Sequence, residues 1–465
     1  MTNLHLNNMH PNNIHPKTIA RRAALQALIA VESEDAPLTS ALDKAMRAAD
    51  VSSQARPFAR EIVSGVLRQQ SRIDWTLEPL LKKPLGKLDA PVRAALRLAA
   101  YERAWLATPL SAVANEYAGL MKPLRLASAT GFVNAIARQL PGQPRAVPHD
   151  WPVAQRLSLE FSHPLWMVER WLAVLGENEC AAVCEANNEI APLHLRVNSL
   201  QSKPSEVLAT LKASGLNART GHWSPDAIVI EAAGSPLDWP SWKAGHIIAQ
   251  DEAAQLVGLF ACPAPGNLVI DCAAAPGGKT THLAQLMGDE GLIIACDAAP
   301  GRVKLVEENA RRLGLSCIAA RTGDLRALSN ALPQADLVLL DAPCSGTGTL
   351  RRRPDAKHRK TPEQLTQLAQ LQAELLKAAA SLVKPDGILI YSTCSLETEE
   401  NQGQIERFLK ENPSWRVAPA MENPGALPAA TIEAVGTLEG FLQTWPHRHG
   451  CDGMFAAKLR MKAEG

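Results

Sequence analysis

Apolar residues between positions 18 and 140 recur every three or four residues, the spacing that places them on one face of an α-helix. Strand-like alternation of apolar and polar residues is nearly absent from this stretch. The helical positions include Ala23, Leu25, Leu28, Ile29, Val92, Ala95, Leu96, Leu98 and Ala99. The proline-rich stretch at residues 140–148 ends the pattern, so we predict an all-helical domain over residues 1–145.

Short apolar runs replace the helical pattern further along the chain. Residues 193–198 and 227–231 are predicted strands, and the residues near 204–214 between them have helical spacing. A strand, a helix and a strand in this order predict a small α+β module. We place this module, with the short helices that precede it, at residues 146–249.

The remainder of the chain, residues 250–465, alternates fully apolar runs with helical patterns. The runs occupy residues 268–271, 292–297, 316–320, 337–341 and 388–391. Apolar strands separated by helices are typical of a parallel sheet that is covered on both faces. We therefore predict a doubly wound α/β domain, whose ligands bind beyond the carboxyl ends of the strands.

The composition is that of a folded, soluble globular protein, because 46% of the residues are hydrophobic and 20% are charged. At about 150 residues per domain, the chain has room for about three domains. The N-terminus is polar and no apolar run is long enough to cross a bilayer. We expect a cytoplasmic location and no membrane partner.

The cysteines indicate reduced thiols, since the chain has nine of them without a regular spacing. Cys180 and Cys184 are four residues apart but have no second pair and no histidine nearby. This pattern favours two cysteines in a helical core over a zinc site, and we expect no bound metal.

Positive charge is concentrated in the first third of the chain, although the net charge is only +1. Residues 1–150 contain 19 lysines and arginines against 12 acidic residues. A second cluster of cations lies at residues 351–360. Such runs are most often solvated surface, but a basic patch beside an active-site loop would suit a polyanion.

Three features that suit a nucleotide-type ligand follow the first three strands of the α/β region. Small residues and the pair Gly277 and Gly278 form a strand-to-helix turn that a ligand can approach closely. The turn matches neither the dinucleotide motif nor the ATP motif. Asp297 ends the second strand, where a carboxylate can accept hydrogen bonds from ribose hydroxyls or, alternatively, cap a helix. Asp324 follows the third strand and is a candidate partner for an adenine amino group.

Two cysteines follow the fourth and fifth strands of the same region. Cys344 lies three residues after Asp341, and Cys394 lies between Thr393 and Ser395. A single cysteine is usually a buried core residue. Two cysteines in turns at neighbouring strand ends are predicted to face the same crevice.

Together these motifs resemble those of the cytosine-C5 RNA methyltransferases that use S-adenosylmethionine. The resemblance covers most of the chain and is carried by residues 250–251, 274–280, 341–345, 393–395 and 452–455. The helical domain, with residues 60–66 and 73–74, looks like the NusB RNA-binding fold, and this pairing is similar to bacterial 16S rRNA members of the family. Met454 departs from the usual phenylalanine, and Ala253 and Ala254 stand where small hydroxyl residues are common.

The resemblance implies a role for each motif. The methionine part of S-adenosyl-L-methionine would be cradled by Ala273, Ala274, Ala275, Pro276, Gly277, Gly278 and Lys279. Asp297 would hold the ribose, Asp324 would hold the adenine, and Asp341 would lie between the cofactor and the base. Cys394 would be the nucleophile that adds to a cytosine of 16S rRNA, and Cys344 would assist the breakdown of the covalent adduct.

Three alternatives stay open from the sequence. In the first alternative, the chain is an RNA-binding assembly or antitermination factor with an inert domain. The joint presence of Asp297, Asp341 and both turn cysteines disfavours this interpretation. In the second alternative, the protein methylates carbon 5 of cytosine in DNA with Cys344 as the nucleophile. The basic helical domain and the Cys394 loop favour RNA instead. In the third alternative, the enzyme methylates tRNA or another rRNA site. Only the resemblance of the N-terminal domain argues against this substrate. The sequence does not identify the group that stabilises a Cys394 thiolate.

Overall fold

The computed structural model describes residues 15–231 and 234–462, and their first part is helical as predicted. Helix α5 lies at the centre of this part, because Leu96, Leu98 and Ala99 are completely buried against its neighbours. The helices are α1 (Pro16–Ser33), α2 (Leu38–Ala48), α3 (Arg56–Arg68), α4 (Gln70–Leu77), α5 (Ala90–Ala104), α6 (Leu110–Gly119), α7 (Thr130–Ala137), α8 (Val153–Glu160), α9 (Leu165–Leu175) and α10 (Glu177–Ala186).

Some of the positive charge of this helical part lies in its interior. Arg21 Nη2 lies 2.7 Å from Glu102 Oε2, and Arg97 Nη2 lies 2.6 Å from Asp74 Oδ2. Both arginines are buried, so these charges are compensated within the fold. The basic surface is therefore made by other cations, of which Lys82, Lys83, Lys87, Lys122 and Arg125 are exposed.

The predicted α+β module is a four-stranded antiparallel sheet with helices. Its strands are arranged in the order β2-β3-β1-β4. Val207 and Leu211 of the longer helix pack with Leu195 and Val197 of the first strand in one apolar core. The elements are β1 (Leu193–Val197), α11 (Pro204–Ala213), β2 (Ala218–Thr220), β3 (Ala227–Ile230), α12 (Pro240–Lys243) and β4 (Ile247–Ala249).

The predicted doubly wound domain is confirmed, and its strands alternate with helices along the chain. The elements up to the second turn cysteine are α13 (Glu252–Ala261), β5 (Leu268–Asp271), α14 (Gly278–Leu286), β6 (Leu292–Asp297), α15 (Pro300–Leu313), β7 (Ile318–Thr322), α16 (Leu325–Leu328), β8 (Ala335–Asp341), α17 (Pro354–Lys357), α18 (Pro362–Ala380) and β9 (Val383–Thr393). The elements after it are α19 (Gln402–Glu411), β10 (Trp415–Val417), α20 (Ala429–Val435), β11 (Leu442–Thr444), α21 (Pro446–His449) and β12 (Met454–Met461).

The five predicted strands pair in parallel as expected, and further strands near the C-terminus make the sheet mixed. Its strands follow the order β10-β12-β9-β8-β5-β6-β7, and β11 also pairs with β12. Strands β5 to β9 pair in parallel, whereas β12 runs antiparallel to each of its partners. The carboxyl ends of the five parallel strands lie at one edge, as the predicted site requires.

The described chain divides into two compact units. Residues 15–189 form the helical unit together with Leu350–Arg359, and the other unit comprises Ile190–Thr349 and the residues from Lys360 onward. The chain therefore leaves the sheet-containing unit after β8, contributes helix α17 to the helical unit, and then returns. Within the described residues, no helix is both long and apolar enough to cross a membrane.

The cationic cluster at residues 351–360 is solvated only in part, because Arg353 is exposed whereas two of its other cations are buried. Arg351 is 3% exposed and Lys357 is 1% exposed. Lys357 Nζ donates to Arg68 O at 2.8 Å and to Asn188 Oδ1 at 2.9 Å. Arg359 Nε lies 3.0 Å from Asp35 Oδ1. Carbonyls and a carboxylate of the helical unit thus accept the donors of Lys357 and Arg359.

Candidate active site

The glycine turn connects β5 to α14 and has a tightly bonded backbone. Ala274 N donates to Cys296 O at 2.8 Å, and Gly277 N donates to Ala274 O at 2.7 Å. Gly277 has a φ of +99°, and a Cβ atom there would lie 3.2 Å from Val306 Cα. Only glycine fits this position without strain. The turn comprises the predicted cofactor-binding residues Ala273, Ala274, Ala275, Pro276, Gly277, Gly278 and Lys279.

A buried carboxylate connects the strand before the turn to the helix after it. Asp271 ends β5, and its Oδ2 accepts a hydrogen bond of 2.7 Å from Thr280 Oγ1 on α14. Burial raises the pKa of Asp271 to about 7. Asp271 therefore links β5 to α14 and has a structural role next to the predicted site residues.

Asp297 and Asp324 follow the adjacent strands β6 and β7, as expected. Asp297 is 4% exposed, and its Oδ2 accepts from Ala275 N at 3.3 Å, so this carboxylate borders the turn. Asp324 is more exposed, caps α16 and pairs with Arg326 at 2.6 Å. Gly323 N donates to Asp297 O at 3.0 Å, which places both acids at one edge of the sheet.

Asp341 connects the turn to the two cysteine loops. Lys279 Nζ lies 2.7 Å from Asp341 Oδ2, and Ser392 Oγ donates to Asp341 Oδ1 at 2.8 Å. Lys279 belongs to the first turn of α14, Asp341 ends β8, and Ser392 lies near the end of β9. The carboxylate is thus held by one group from each of two neighbouring elements.

The structure brings the two predicted cysteines into contact. Cys344 Sγ lies 3.3 Å from Cys394 Sγ, because the parallel strands β8 and β9 place their following loops side by side. Both thiols are partly exposed, although most residues of the two loops are buried. A hydrogen bond from Cys344 lowers the pKa of Cys394, and the same contact raises the pKa of Cys344. These two pKa directions favour Cys394 over Cys344 as the thiolate, and the charge of Lys279 lowers the pKa of Cys394 further.

Two distant motifs of the sequence also meet in this unit. Asp251 Oδ1 accepts from Asp452 N at 3.0 Å across a separation of 201 residues. Asp251 also caps helix α13 by accepting from Ala253 N at 2.9 Å. The contact joins the start of α13 to the loop before β12.

One site residue that sequence reasoning missed is Arg196 of the small module. This arginine is completely buried and donates to Gly278 O at 2.7 Å, to Thr281 Oγ1 at 2.9 Å and to Gln285 Oε1 at 2.7 Å. Burial lowers its pKa to about 9. Arg196 thus anchors the first turns of α14 to β1. The sequence does contain a signal for this residue, because Arg196 is a charged residue within a mostly apolar strand.

The residues around the turn fit a nucleotide-type cofactor. The alanines carry no side chain beyond Cβ, and the N-terminus of α14 directs its free N–H groups toward the turn. Carboxylates that can accept hydrogen bonds from hydroxyl and amino groups follow the next two strands. A doubly wound sheet with this turn and a pair of contacting thiols beside it is typical of a group-transfer enzyme of the methyltransferase class.

Comparisons with known proteins agree with this class. The model of the 16S rRNA methyltransferase RsmB/F family matches residues 259–460, the NusB family matches residues 18–140, and an RsmF/B-like ferredoxin-like domain matches residues 163–236. The chain belongs to the RsmB/F family of S-adenosylmethionine-dependent rRNA methyltransferases.

Relatives and solved structures match nearly the whole chain. The probable ribosomal RNA small subunit methyltransferase B of Bacillus subtilis (strain 168) is 34% identical over 96% of this chain and 99% of its own. The ribosomal RNA small subunit methyltransferase B of Pseudomonas syringae pv. tomato is 34% identical over 94% of this chain and 96% of its own. The crystal structure of PH0851 matches with a TM-score of 0.81, 29% identity and coverage of 96% and 99%.

A shorter solved structure matches only part of the chain. A methyltransferase homologue from Pyrococcus horikoshii has a TM-score of 0.57 and 28% identity. The match covers 67% of this chain and 100% of that one. A methyltransferase homologue therefore exists whose whole length corresponds to two thirds of this chain.

Proposed function

We propose that this protein methylates carbon 5 of a cytosine in 16S rRNA, through a covalent bond between Cys394 and the base. The observation that carries the proposal is the contact between the sulfurs of Cys344 and Cys394, which lie 3.3 Å apart at the ends of adjacent strands. The names of the relatives support small-subunit rRNA as the substrate.

The thiol pair suits this reaction because carbon 5 of cytosine is a poor nucleophile. The Cys394 thiolate adds to carbon 6, and the electrons of the ring double bond then make carbon 5 nucleophilic. S-adenosylmethionine, when bound, supplies the electrophilic methyl group. Removal of the proton from carbon 5 returns its electrons to the ring, breaks the sulfur–carbon 6 bond and regenerates the Cys394 thiolate.

Cys344 and Asp341 have supporting roles in this proposal. Cys344 donates its hydrogen bond to Cys394 before attack and lies next to the adduct afterwards, where it assists proton removal and release of the sulfur. Asp341 lies at the junction of the Lys279 turn and β9, where its carboxyl group would support the charge change at the ring nitrogen during attack.

The cofactor would be held by the turn and the strand-end acids. We assign the methionine part to residues 273–279, the ribose hydroxyls to Asp297 and the adenine amino group to Asp324. The proximity of Asp297 to Ala275 N supports this assignment. Asp324 has a competing partner in Arg326, which must share the carboxylate when adenine binds.

The predicted domain roles complete the proposal. Residues 1–145 would dock rRNA, residues 146–249 would form a second RNA-binding module, and residues 250–465 would carry the reaction. The exposed lysines of the helical unit support the first role. The cytoplasmic location stays a prediction.

Separate substitution of the two cysteines tests the mechanism. Cys394→Ala cannot form the bond to carbon 6, so methylation of 16S rRNA and any denaturation-resistant RNA–protein adduct should both disappear. Cys344→Ala still attacks but releases slowly, so an adduct should accumulate that the double variant lacks. Denaturing gels and bisulfite mapping of the RNA measure both outcomes.

A control and an opposite outcome make this test decisive. Cys262→Ala removes an exposed thiol and should behave as the unsubstituted protein. An adduct trapped by Cys394→Ala and absent from Cys344→Ala would reverse the assignment and make Cys344 the nucleophile.

A further inference from the structure

A fully buried carboxylate lies behind the two cysteine loops. Glu400 is 0% exposed and ends a short 3-10 turn, Thr398–Glu400, that follows the Cys394 loop. Its Oε1 accepts from Ser345 N at 2.8 Å and from Gln372 Nε2 at 2.9 Å. Its Oε2 accepts from the Ser345 hydroxyl. Among the residues that the structure describes, no cation forms an ion pair with it, so hydrogen-bond donors alone compensate this buried charge.

These hydrogen bonds connect both cysteine loops to the one carboxylate. Ser345 directly follows Cys344, and Ser395 directly follows Cys394. Glu397 N donates to Ser395 Oγ at 3.0 Å, and Ser395 Oγ lies 3.0 Å from Ser345 Oγ. Since the Ser345 hydroxyl donates its proton to Glu400, Ser345 can only accept in its contact with the Ser395 hydroxyl, which also lies 3.3 Å from Thr347 Oγ1. The result is a chain of hydrogen bonds that ends at the Glu400 carboxylate.

The next residue, Asn401, holds the other side of the Cys394 loop. Its Nδ2 donates to Ser395 O at 2.9 Å, and its Oδ1 accepts from Thr393 Oγ1 at 2.5 Å. Thr393 and Ser395 flank Cys394 on both sides. Two consecutive buried residues therefore fix the backbone next to each of the two sulfurs.

The charges around the thiols are distributed unequally. The contact with Cys394, burial, and the negative charges of Glu400 and Asp341 all raise the pKa of Cys344. The Tyr391 phenol faces the same charges, and burial raises its pKa, so it stays neutral.

The other sulfur faces a different set of groups. The hydrogen bond from Cys344 and the ammonium of Lys279 lower the pKa of Cys394, whereas burial and the carboxylates of Asp341 and Asp452 oppose this effect. Glu400 is thus a negative group that acts on the Cys344 side of the pair.

We propose that Glu400 is a positioning residue that aligns the two cysteine loops and, through its buried negative charge, leaves Cys394 as the nucleophilic sulfur. The consequence for methyl transfer rests on the proposed function, whereas the effect on the two thiols does not. The alignment of the loops acts through the hydrogen bonds of Ser345 and Ser395, whereas the charge of Glu400 acts on Cys344 through space.

Glu400→Gln tests the charge with little change of shape. The amide oxygen still accepts from Ser345 N, and the amide nitrogen can donate to the Ser345 hydroxyl. The two thiols are alkylated with iodoacetamide across a pH series, in the full-length protein without cofactor or RNA, and their peptides are quantified by mass spectrometry. We expect the pH of half-maximal Cys344 labelling to fall, which narrows the difference between the labelling pH values of Cys344 and Cys394.

Glu399→Gln is the matched control, because it removes the same charge one residue earlier at an exposed position. It should leave the labelling profiles of both cysteines unchanged. Equal separation of the two profiles in unsubstituted protein and in folded Glu400→Gln would overturn the proposal. The expected labelling shift together with an absence of cytosine methylation by the unsubstituted protein would instead count against the proposed reaction alone.

Ser345→Ala provides a second route that does not depend on folding of the Glu400 variant. It removes the hydroxyl between Glu400 and Ser395 but keeps the carboxylate charge. We expect the separation of the labelling profiles to persist, while kcat for methylation falls about tenfold with little change in KM for RNA. An unchanged kcat in Ser345→Ala would contradict the positioning role.

Discussion

Asp297 shows how one carboxylate at a strand end can serve both the protein and a ligand. Its Oδ1 accepts from Ala299 N at 3.1 Å, and its Oδ2 accepts from Ala275 N in the glycine turn. Arg302 Nη1 lies 3.5 Å from the same Oδ2. The side chain is therefore held in place by the protein without a ligand.

Replacing Asp297 by alanine tests the proposed ribose contact. The change removes a charged hydrogen-bond acceptor, a loss of about 1.5–3 kcal/mol that corresponds to roughly ten- to a hundredfold weaker binding. Calorimetric titration with S-adenosylhomocysteine measures the change. Asp386→Ala removes an exposed carboxylate of the same unit and serves as the control. Unaltered affinity in a folded Asp297→Ala protein would reduce Asp297 to a structural cap.

At this scale the sequence identified the reactive groups but not the groups that hold them. Cys344 and Cys394 were recognisable because each follows an apolar strand in a turn. Glu400 was not, because it lies among other acidic residues whose different degrees of burial leave no trace in the local sequence. Arg196 was missed because its partners come from α14, far along the chain.

Among the elements, the segment Leu350–Arg359 departs most from its sequence pattern. Its density of cations indicated a solvated surface, yet Lys357 is buried and Asp355 Oδ2 accepts from Leu38 N at 3.2 Å. Local charge density is typical of surface, and only the carbonyls of distant helices make burial possible here. Strands β10 and β11 were missed for another reason, because each is three residues long.

The buried lysine of this segment makes the stability of the helical unit depend on pH. Burial lowers the pKa of Lys357 to about 7, whereas an exposed lysine in an unfolded chain has a pKa of about 10.4. Between these values the unfolded chain binds a proton that the folded chain lacks. The free energy of unfolding should therefore rise with pH in this window, by at most about 1.4 kcal/mol per pH unit from this group.

Lys357→Met should remove this contribution. Pulse proteolysis in urea at several pH values between 7 and 10, with fragments assigned by mass spectrometry, reports the stability of the helical unit in the full-length chain. As the pH rises, the free energy of unfolding of the unsubstituted protein should increase relative to that of Lys357→Met. Lys44→Met, which changes an exposed lysine of α2, should track the unsubstituted protein. If the free energy of unfolding changes with pH in the same way in Lys357→Met and in the unsubstituted protein, the prediction is wrong.

For the whole molecule, the sequence predicted the three kinds of architecture but not the path of the chain between the units. Helical, α+β and α/β regions were each recognisable from the periodicity of their apolar residues. Nothing in that periodicity indicated that residues 350–359 would belong with the N-terminal helices. Such a return depends on contacts between residues about 300 positions apart, such as Lys357 with Arg68.

Removal of residues 1–189 tests the importance of this path. The truncated chain keeps residues 350–359 without Leu38 and Arg68 as partners, so its buried charges become exposed. We expect a lower thermal unfolding temperature than in a second truncation, in which a glycine–serine linker of equal length replaces residues 350–359. The second form should bind S-adenosylhomocysteine as the full chain does, and 16S rRNA more weakly with a smaller salt dependence.

Two outcomes would contradict this prediction. Equal unfolding temperatures of the two truncated forms would show that the loss of the helical unit does not destabilise the segment. Full rRNA affinity of the second form would exclude the helical unit as a docking domain.

The segment also has a consequence for biosynthesis. A ribosome makes the chain from its N-terminus, so helices α1–α10 leave the exit tunnel before residues 350–359 exist. Strands β1–β8 must all be translated before Lys357 can reach Arg68. The first part of the protein to emerge therefore completes its packing only after most of the chain has been synthesised. A nascent chain that stalls before residue 350 presents to chaperones and proteases a surface that the finished enzyme covers.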